Sequence, residues 1–120
     1  MTIQAYCMEV NENGVVYTGR VREMDATREA MEQYIGGCVR EISLQDGLVA
    51  LAEKSSDSPV NRALVRNGKI QEILTGIIVC VRKETGQYRS IEEEDVAIIR
   101  TYLKPVFDLN GNIMIQQEET

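Results

Sequence analysis

Apolar and polar residues alternate along much of the chain, and this pattern predicts strands joined by tight turns. The first such strand covers Thr2 to Val10, and one of its faces carries Ile3, Ala5 and Cys7. The Asn13-Gly14 pair that follows is a strong hairpin signal, because both residue types tolerate positive φ. A second strand is therefore predicted from Val15 to about Arg22.

A second hairpin is predicted in the middle of the chain. Residues alternate again from Cys38 to Leu44, then Gln45-Asp46-Gly47 turns the chain, and Leu48 to Ala52 pairs back. A polar stretch from Lys54 to Pro59 follows, with the serine, aspartate and proline content of a loop.

The last strands follow further turn signals. Asn67-Gly68 marks a turn before a β-type stretch from Ile70 to Val81, which is interrupted at Thr75-Gly76. The end of this stretch, Ile77 to Val81, has no polar alternation, so it is predicted as a central strand covered on both faces. A final hairpin is expected from Val106 to Ile115, bent at Asn110-Gly111.

Two segments have helical spacing instead. The first runs from Ala26 to Ile35, with Asp25 as the expected cap and Gly36-Gly37 as the stop. The second begins at a capping box of Ser90 and Glu93 and is stopped by Pro105. Together these elements predict an α+β fold, in which two helices pack on a mainly antiparallel β-sheet built from hairpins. Residues 1–115 are expected to form a single domain, and residues 116–120 an acidic C-terminal tail.

Candidate contact residues are few and are all cationic or amide side chains. Asn61 and Arg62 follow Pro59 and are expected in a polar loop, where an arginine can form a fork-shaped contact to phosphate or carboxylate. Arg62, Arg66 and Lys69 together make a local cationic cluster. The structural alternative is that Asn61 orders the loop and Arg62 pairs with a nearby carboxylate.

A second candidate pair is Arg20 and Arg22, which lie two apart and share one face of a predicted strand. They could serve a nucleotide ligand, with Tyr17 nearby in sequence. The simpler alternative is an ordinary exposed strand face. The acidic run Glu92 to Asp95 is explained by the electrostatics of a helix start.

Composition excludes several chemistries. The 120 residues carry a net charge of −6, which opposes direct nucleic-acid binding, and an acidic surface either meets a basic protein groove or only maintains solubility. Histidine is absent, which removes the commonest general base and metal ligand. The three cysteines fall in predicted strands without a C-x-x-C pair, so neither a disulfide framework nor a zinc site is expected. No catalytic residue, metal or cofactor is predicted.

The order of these motifs is similar to that of a known family. Five segments carry the resemblance: Tyr34-Ile35-Gly36-Gly37, Ile42 to Leu48, Asn61-Arg62, Gly76 to Val79 and Ser90 to Glu94. Over roughly residues 26–100 the chain resembles a small domain-of-unknown-function family, family 3846, of phage and mobile-element proteins. Such a resemblance implies a phage, plasmid or conjugative element as the source, and small accessory proteins of these elements often counter host defence.

The leading hypothesis is a non-enzymatic accessory protein that binds a host defence component, for example a CRISPR or restriction nuclease. One alternative is a sponge that sequesters a nucleotide-derived immune signal with Arg62, Arg66 and Arg20, and another is a structural or regulatory protein of the element. The partner is then a host defence protein or a nucleotide signal, with no direct nucleic-acid contact and no membrane. Neither a signal peptide nor a spanning segment is recognised, so a cytoplasmic location is expected. A homo-oligomer formed through exposed sheet edges is possible in this scheme.

Overall fold

The computed structural model describes residues 1–55, 57–109 and 112–115 and confirms the α+β fold. Its strands are β1 (Thr2–Met8), β2 (Arg20–Asp25), β3 (Val39–Gln45), β4 (Leu48–Glu53), β5 (Val60–Arg66), β6 (Lys69–Thr75), β7 (Ile78–Glu84), β8 (Gln87–Arg89), β9 (Leu103–Leu109) and β10 (Asn112–Ile115). The helices are α1 (Arg28–Ile35) and α2 (Glu93–Tyr102). The predicted turn at Asn110-Gly111 and the predicted tail lie outside the described residues.

A larger antiparallel sheet forms the centre of the molecule, with strand order β2-β1-β7-β4-β3 and with β8 paired to β7. Residues Ile78 to Val81 of β7 are fully buried, so the prediction of a central strand covered on both faces is confirmed. Helix α1 covers one face through Met31 and Ile35, which belong to a buried cluster with residues of β1, β4 and β7. The opposite face packs against α2 and the second sheet.

The second sheet is a correction to the sequence prediction, which placed the strands in one sheet. Four strands with the order β10-β9-β5-β6 form a separate antiparallel sheet. The change of sheet occurs at the predicted interruption, where Gly76 between β6 and β7 has a φ of 73°. A backbone in this left-handed region suits glycine and redirects the chain, so β6 and β7 cannot continue as one strand. Leu64 and Leu74 of this sheet pack into the shared core with Ile99 of α2.

The helix boundaries differ from the prediction in ways that local hydrogen bonds explain. Thr27 caps α1 instead of Asp25, since its hydroxyl accepts the amide hydrogen of Ala30 and Asp25 belongs to β2. Gly36 ends α1 with a φ of 99°, as predicted. Helix α2 starts at a capping box of Glu92 and Asp95, two residues after the predicted box at Ser90 and Glu93.

The first hairpin forms where the turn signal predicts it, but its second strand is interrupted. Val10 and Val16 make an isolated bridge, and β2 begins only at Arg20. The interruption lies at Gly19, where an added Cβ would lie 2.2 Å from the ring of Tyr6. The predicted strand from Val15 to Arg22 is thus interrupted where the backbone closely approaches the buried ring of Tyr6.

Three smaller predictions need correction. Cys7 and Cys80 are buried in strands as predicted, but Cys38 is exposed just before β3. Pro105 lies within β9, which begins at Leu103, so the chain leaves α2 directly into a strand. The short strand β8 was not predicted, because three residues give too little alternation to detect.

Candidate binding surface

Asn61 and Arg62 are not in an exposed loop, and that prediction is wrong. Both belong to β5, where Asn61 is 0% and Arg62 4% exposed. The Asn61 Nδ2 donates to the carbonyl oxygens of Met8 at 3.0 Å and Gly76 at 2.7 Å. These acceptors belong to the end of β1 and the link between the two sheets. Asn61 is buried because its amide donates hydrogen bonds to backbone carbonyl oxygens that the bonds between strands do not use.

The buried Arg62 is bonded within the protein. Its Nη1 donates to the Asn61 Oδ1 at 2.6 Å, and its Nη2 donates to the carbonyl oxygen of Tyr17 at 2.9 Å. The guanidinium therefore fixes the segment that precedes β2. The structure supports a structural role for the Asn61-Arg62 pair, in which Arg62 donates to a side-chain amide oxygen and to a backbone carbonyl oxygen.

Arg66 has different partners from Arg62, and the structure does not gather the expected cationic cluster into one pocket. The Arg66 guanidinium donates to the carbonyl oxygens of Leu44, at 3.0 Å, and Ser43, both in β3. Its carbon centre lies 5.2 Å from the ring centroid of Tyr102, beside an open cleft of about 330 Å³. An ion pair between Arg40 and Glu72 also joins β3 to β6. Lys69 is exposed at the start of β6.

Arg20 and Arg22 do share a face, as predicted, and the structure places an acidic partner between them. Their guanidinium nitrogens lie 3.6 Å and 3.5 Å from the carboxylate of Glu9. Tyr34 of α1 donates to the Glu9 Oε1 at 2.5 Å and accepts from Arg22 at 3.0 Å. Burial and the hydrogen bond to Glu9 raise the pKa of Tyr34 to about 12, so its phenol remains a neutral donor. We call these four residues the Glu9 cluster.

A cleft of about 450 Å³ lies beside this cluster and is lined by Cys7, Glu9, Tyr17, Thr18 and Arg20. Burial raises the pKa of the Cys7 thiol to about 11, which leaves it protonated and a poor nucleophile near neutral pH. Because Glu9 neutralises part of the arginine charge, this cleft is a weaker anion site than two free arginines would make. Its groups can bind and orient a polar partner.

The segment beside the cleft forms a hairpin, residues 9–19, which we call the hairpin arm. Asn11 organises its turn, since its Oδ1 accepts the amide hydrogens of Asn13 and Val15, both at 2.9 Å. The arm exposes 52% of Val15 and 47% of Tyr17, and the adjoining β2 exposes 50% of Val21. Exposed aromatic and arginine side chains are the residue types that most often dominate protein interfaces.

Sequence reasoning identified the arginines but missed Glu9 and Tyr34, which lie on other elements. The available signal was weak: Glu9 continues the period-two spacing of Ile3, Ala5 and Cys7, and Tyr34 lies three residues after Met31, at helical spacing. A second cleft of about 520 Å³ lies at the start of α1 and was also missed. Its two cationic side chains are already bonded, Arg28 to the carbonyl oxygen of Val39 and Lys83 to Glu41.

Within the part of the chain that the structure describes, acidic and cysteine side chains nowhere gather in a group of three that could hold a metal ion. Neither described helix has the length and apolar composition that crossing a bilayer requires. Comparison with protein families, with curated proteins and with solved structures finds no match to this chain.

Proposed function

We propose that this chain is a non-enzymatic accessory protein of a phage or mobile element that binds a protein component of host defence. The observation that carries the proposal is the hairpin arm with its exposed Val15 and Tyr17, beside the arginines of β2. Such a surface buries apolar area against a protein while the arginines and Glu9 form the polar rim. The family resemblance supplies the biological context.

The alternative hypothesis, a sponge that sequesters a nucleotide-derived signal, has less support because two of its three proposed arginines are already bonded within the protein. Arg62 is buried and bonded to Asn61 and the arm, and Arg66 holds the carbonyls of β3. Phosphate capture needs arginines whose donors are available to the ligand. Calorimetry with cyclic nucleotides and ADP-ribose derivatives is therefore expected to give no binding heat.

The test is a protection assay in bacteria that carry one defence system at a time, either CRISPR or restriction. Expression of the chain is expected to raise the plating efficiency of a targeted phage in a strain whose nuclease it binds. The purified chain and that purified nuclease should then co-elute in size-exclusion chromatography. Replacing Tyr17 by Ser is expected to weaken the complex by about 1–2 kcal/mol, a rise in Kd of roughly 5- to 30-fold.

The matched control is Ile70→Ser, since Ile70 is 49% exposed on β6 of the other sheet. It should leave both protection and co-elution unchanged. Absence of protection against every defence system tested would refute the proposed function. Protection that survives Tyr17→Ser and Val15→Ser together would show that the arm is not the binding surface.

A further inference from the structure

Strand β2 is an open edge of the larger sheet. It pairs with β1, and among the residues described no strand pairs with its other side. Residues Arg20 to Glu23 are all exposed. Such an edge presents backbone donors and acceptors that another strand can use.

The hydrogen-bond phase of the β1–β2 ladder identifies the groups that face outward. The amide hydrogen of Ala26 bonds to the carbonyl oxygen of Met1, one step beyond the pair Thr2 and Asp25. Because bonded and non-bonded pairs alternate in an antiparallel ladder, Arg20, Arg22 and Met24 bond to β1. Gln4, opposite Glu23, supports this phase, since its amide and carbonyl bond to Ser90 and Ile91 instead. The backbone groups of three residues therefore point away from β1: Val21, Glu23 and Asp25.

The side chains of β2 divide by charge between the two faces of the sheet. Arg20 and Arg22 occupy one face, and Glu23 and Asp25 occupy the other. In an antiparallel pair, a residue that points its backbone outward lies opposite another that does the same. If a second copy of β2 paired at this edge, each even-numbered residue would lie opposite an even-numbered residue, and each odd-numbered residue opposite an odd-numbered one. When the two-fold axis of such a pair passes through Arg22, the two copies of Arg22 face each other. When it passes through Glu23, the two copies of Glu23 face each other.

Every self-pairing centred between Arg20 and Asp25 opposes like charges in this way, which destabilises a strand pair. The charge pattern of β2 thus disfavours a second copy at this edge. It favours an incoming strand with the complementary pattern, because opposite charges that face each other across a strand pair stabilise it by up to about 1 kcal/mol each.

We infer that β2 accepts an extended segment of the partner protein as an added antiparallel strand. In its own N-to-C direction the segment has the pattern basic, any, basic, acidic, any, acidic. Its basic residues face Asp25 and Glu23, and its acidic residues face Arg22 and Arg20. Main-chain hydrogen bonds to Val21, Glu23 and Asp25 hold it in register. This inference rests on the proposed function and names how the partner docks.

The test uses a peptide with the core Lys-Thr-Lys-Glu-Val-Glu and amide hydrogen exchange followed by NMR. In the free protein the amides of Val21, Glu23 and Asp25 should exchange faster than those of Arg20 and Arg22. At a peptide concentration ten times its Kd, the three outward amides should slow by about tenfold, because they then exchange only from the free fraction. A peptide of equal composition, with the core Lys-Thr-Glu-Lys-Val-Glu, should slow them less.

Two variants of Val21 distinguish backbone strand pairing from non-specific electrostatic attraction between the protein and the peptide. Val21→Pro removes one outward amide and should abolish the peptide-dependent slowing at Glu23 and Asp25, whereas Val21→Thr keeps that amide and should retain the slowing. If Val21→Pro fails to fold, the double variant Glu23→Lys with Asp25→Lys gives the answer. That variant should lose the first peptide and gain one with the core Glu-Thr-Glu-Glu-Val-Glu.

Fast exchange at Arg20 and Arg22 in the free protein, equal effects of the two isomeric peptides, or unchanged slowing in Val21→Pro would each overturn the inference. The proposed function is tested separately. If Val21→Pro folds and still protects the phage, docking at β2 is wrong while the proposed function stands. Strand addition at β2 without protection in any strain would leave the edge as a binding site and remove the defence role.

Discussion

Replacing Asn61 by Leu should destabilise the protein strongly, because the amide joins the two sheets. The substitution keeps a side chain of similar size but removes the donor to the carbonyls of Met8 and Gly76. A buried acceptor left without its partner costs about 1–3 kcal/mol, so two cost about 2–6 kcal/mol. That is a large share of the roughly 5–15 kcal/mol that stabilises a typical domain.

The assay is urea and thermal unfolding followed by circular dichroism. For a chain of this size about 1 kcal/mol corresponds to roughly 3–5 °C, so a loss of about 4 kcal/mol should lower Tm by about 15 °C. The control is Gln71→Leu, which replaces a side-chain amide with the same apolar residue at an exposed position of β6. It should change stability by no more than about 0.5 kcal/mol. An Asn61→Leu protein as stable as the parent chain would refute the assigned role of Asn61.

Two further predictions concern the buried carboxylate of α2 and the close approach at Gly19. Burial raises the pKa of Asp95, but hydrogen bonds from Arg82 and the Glu92 amide outweigh burial and hold it below its usual range. Asp95→Asn should therefore lower the free energy of unfolding at pH 7, and the deficit should shrink as pH falls below about 4. Gly19→Ala should destabilise by about 1–3 kcal/mol through contact with Tyr6, measured by urea unfolding.

The sign of the pH effect follows from the direction of the shift. A carboxyl whose folded-state pKa is depressed stabilises the fold above its unfolded pKa and loses that contribution as pH falls through the folded value. A deficit in Asp95→Asn that grows on acidification would contradict the pairing with Arg82. For the glycine, the control is Gly37→Ala, where an added Cβ meets nothing within 4 Å. If the two alanine variants have the same free energy of unfolding, the Tyr6 ring moves aside without destabilising the protein, and the prediction is wrong.

The alternation of residue types predicted much of the fold. The hairpin of β3 and β4 and the buried strand β7 follow directly from period-two alternation and from its absence. Local pattern could not show that β6 and β7 belong to different sheets, because that depends on which distant strands they meet. Helix caps were misplaced by two residues, since Asp25 and Thr27 have similar capping chemistry and only pairing with β1 decides between them.

The candidate surface was less predictable than the fold. Spacing alone placed Arg20 and Arg22 on one face, and the structure confirms it. The polar pair Asn61 and Arg62 was assigned to solvent because such residues are rarely buried. Their burial depends on leftover carbonyls of Met8, Gly76 and Tyr17, which lie far away in sequence. Nothing in the local sequence reports those acceptors.

The guanidinium of Arg66 has a consequence for where the larger sheet can be extended. It occupies carbonyl oxygens of β3, at the margin of the larger sheet opposite β2. With the Arg40–Glu72 bridge, it ties that margin to the smaller sheet, so β2 is the more accessible of the two outer strands of the larger sheet. A strand added at β2 is therefore expected to extend the larger sheet on that side alone, because side chains already occupy the opposite margin.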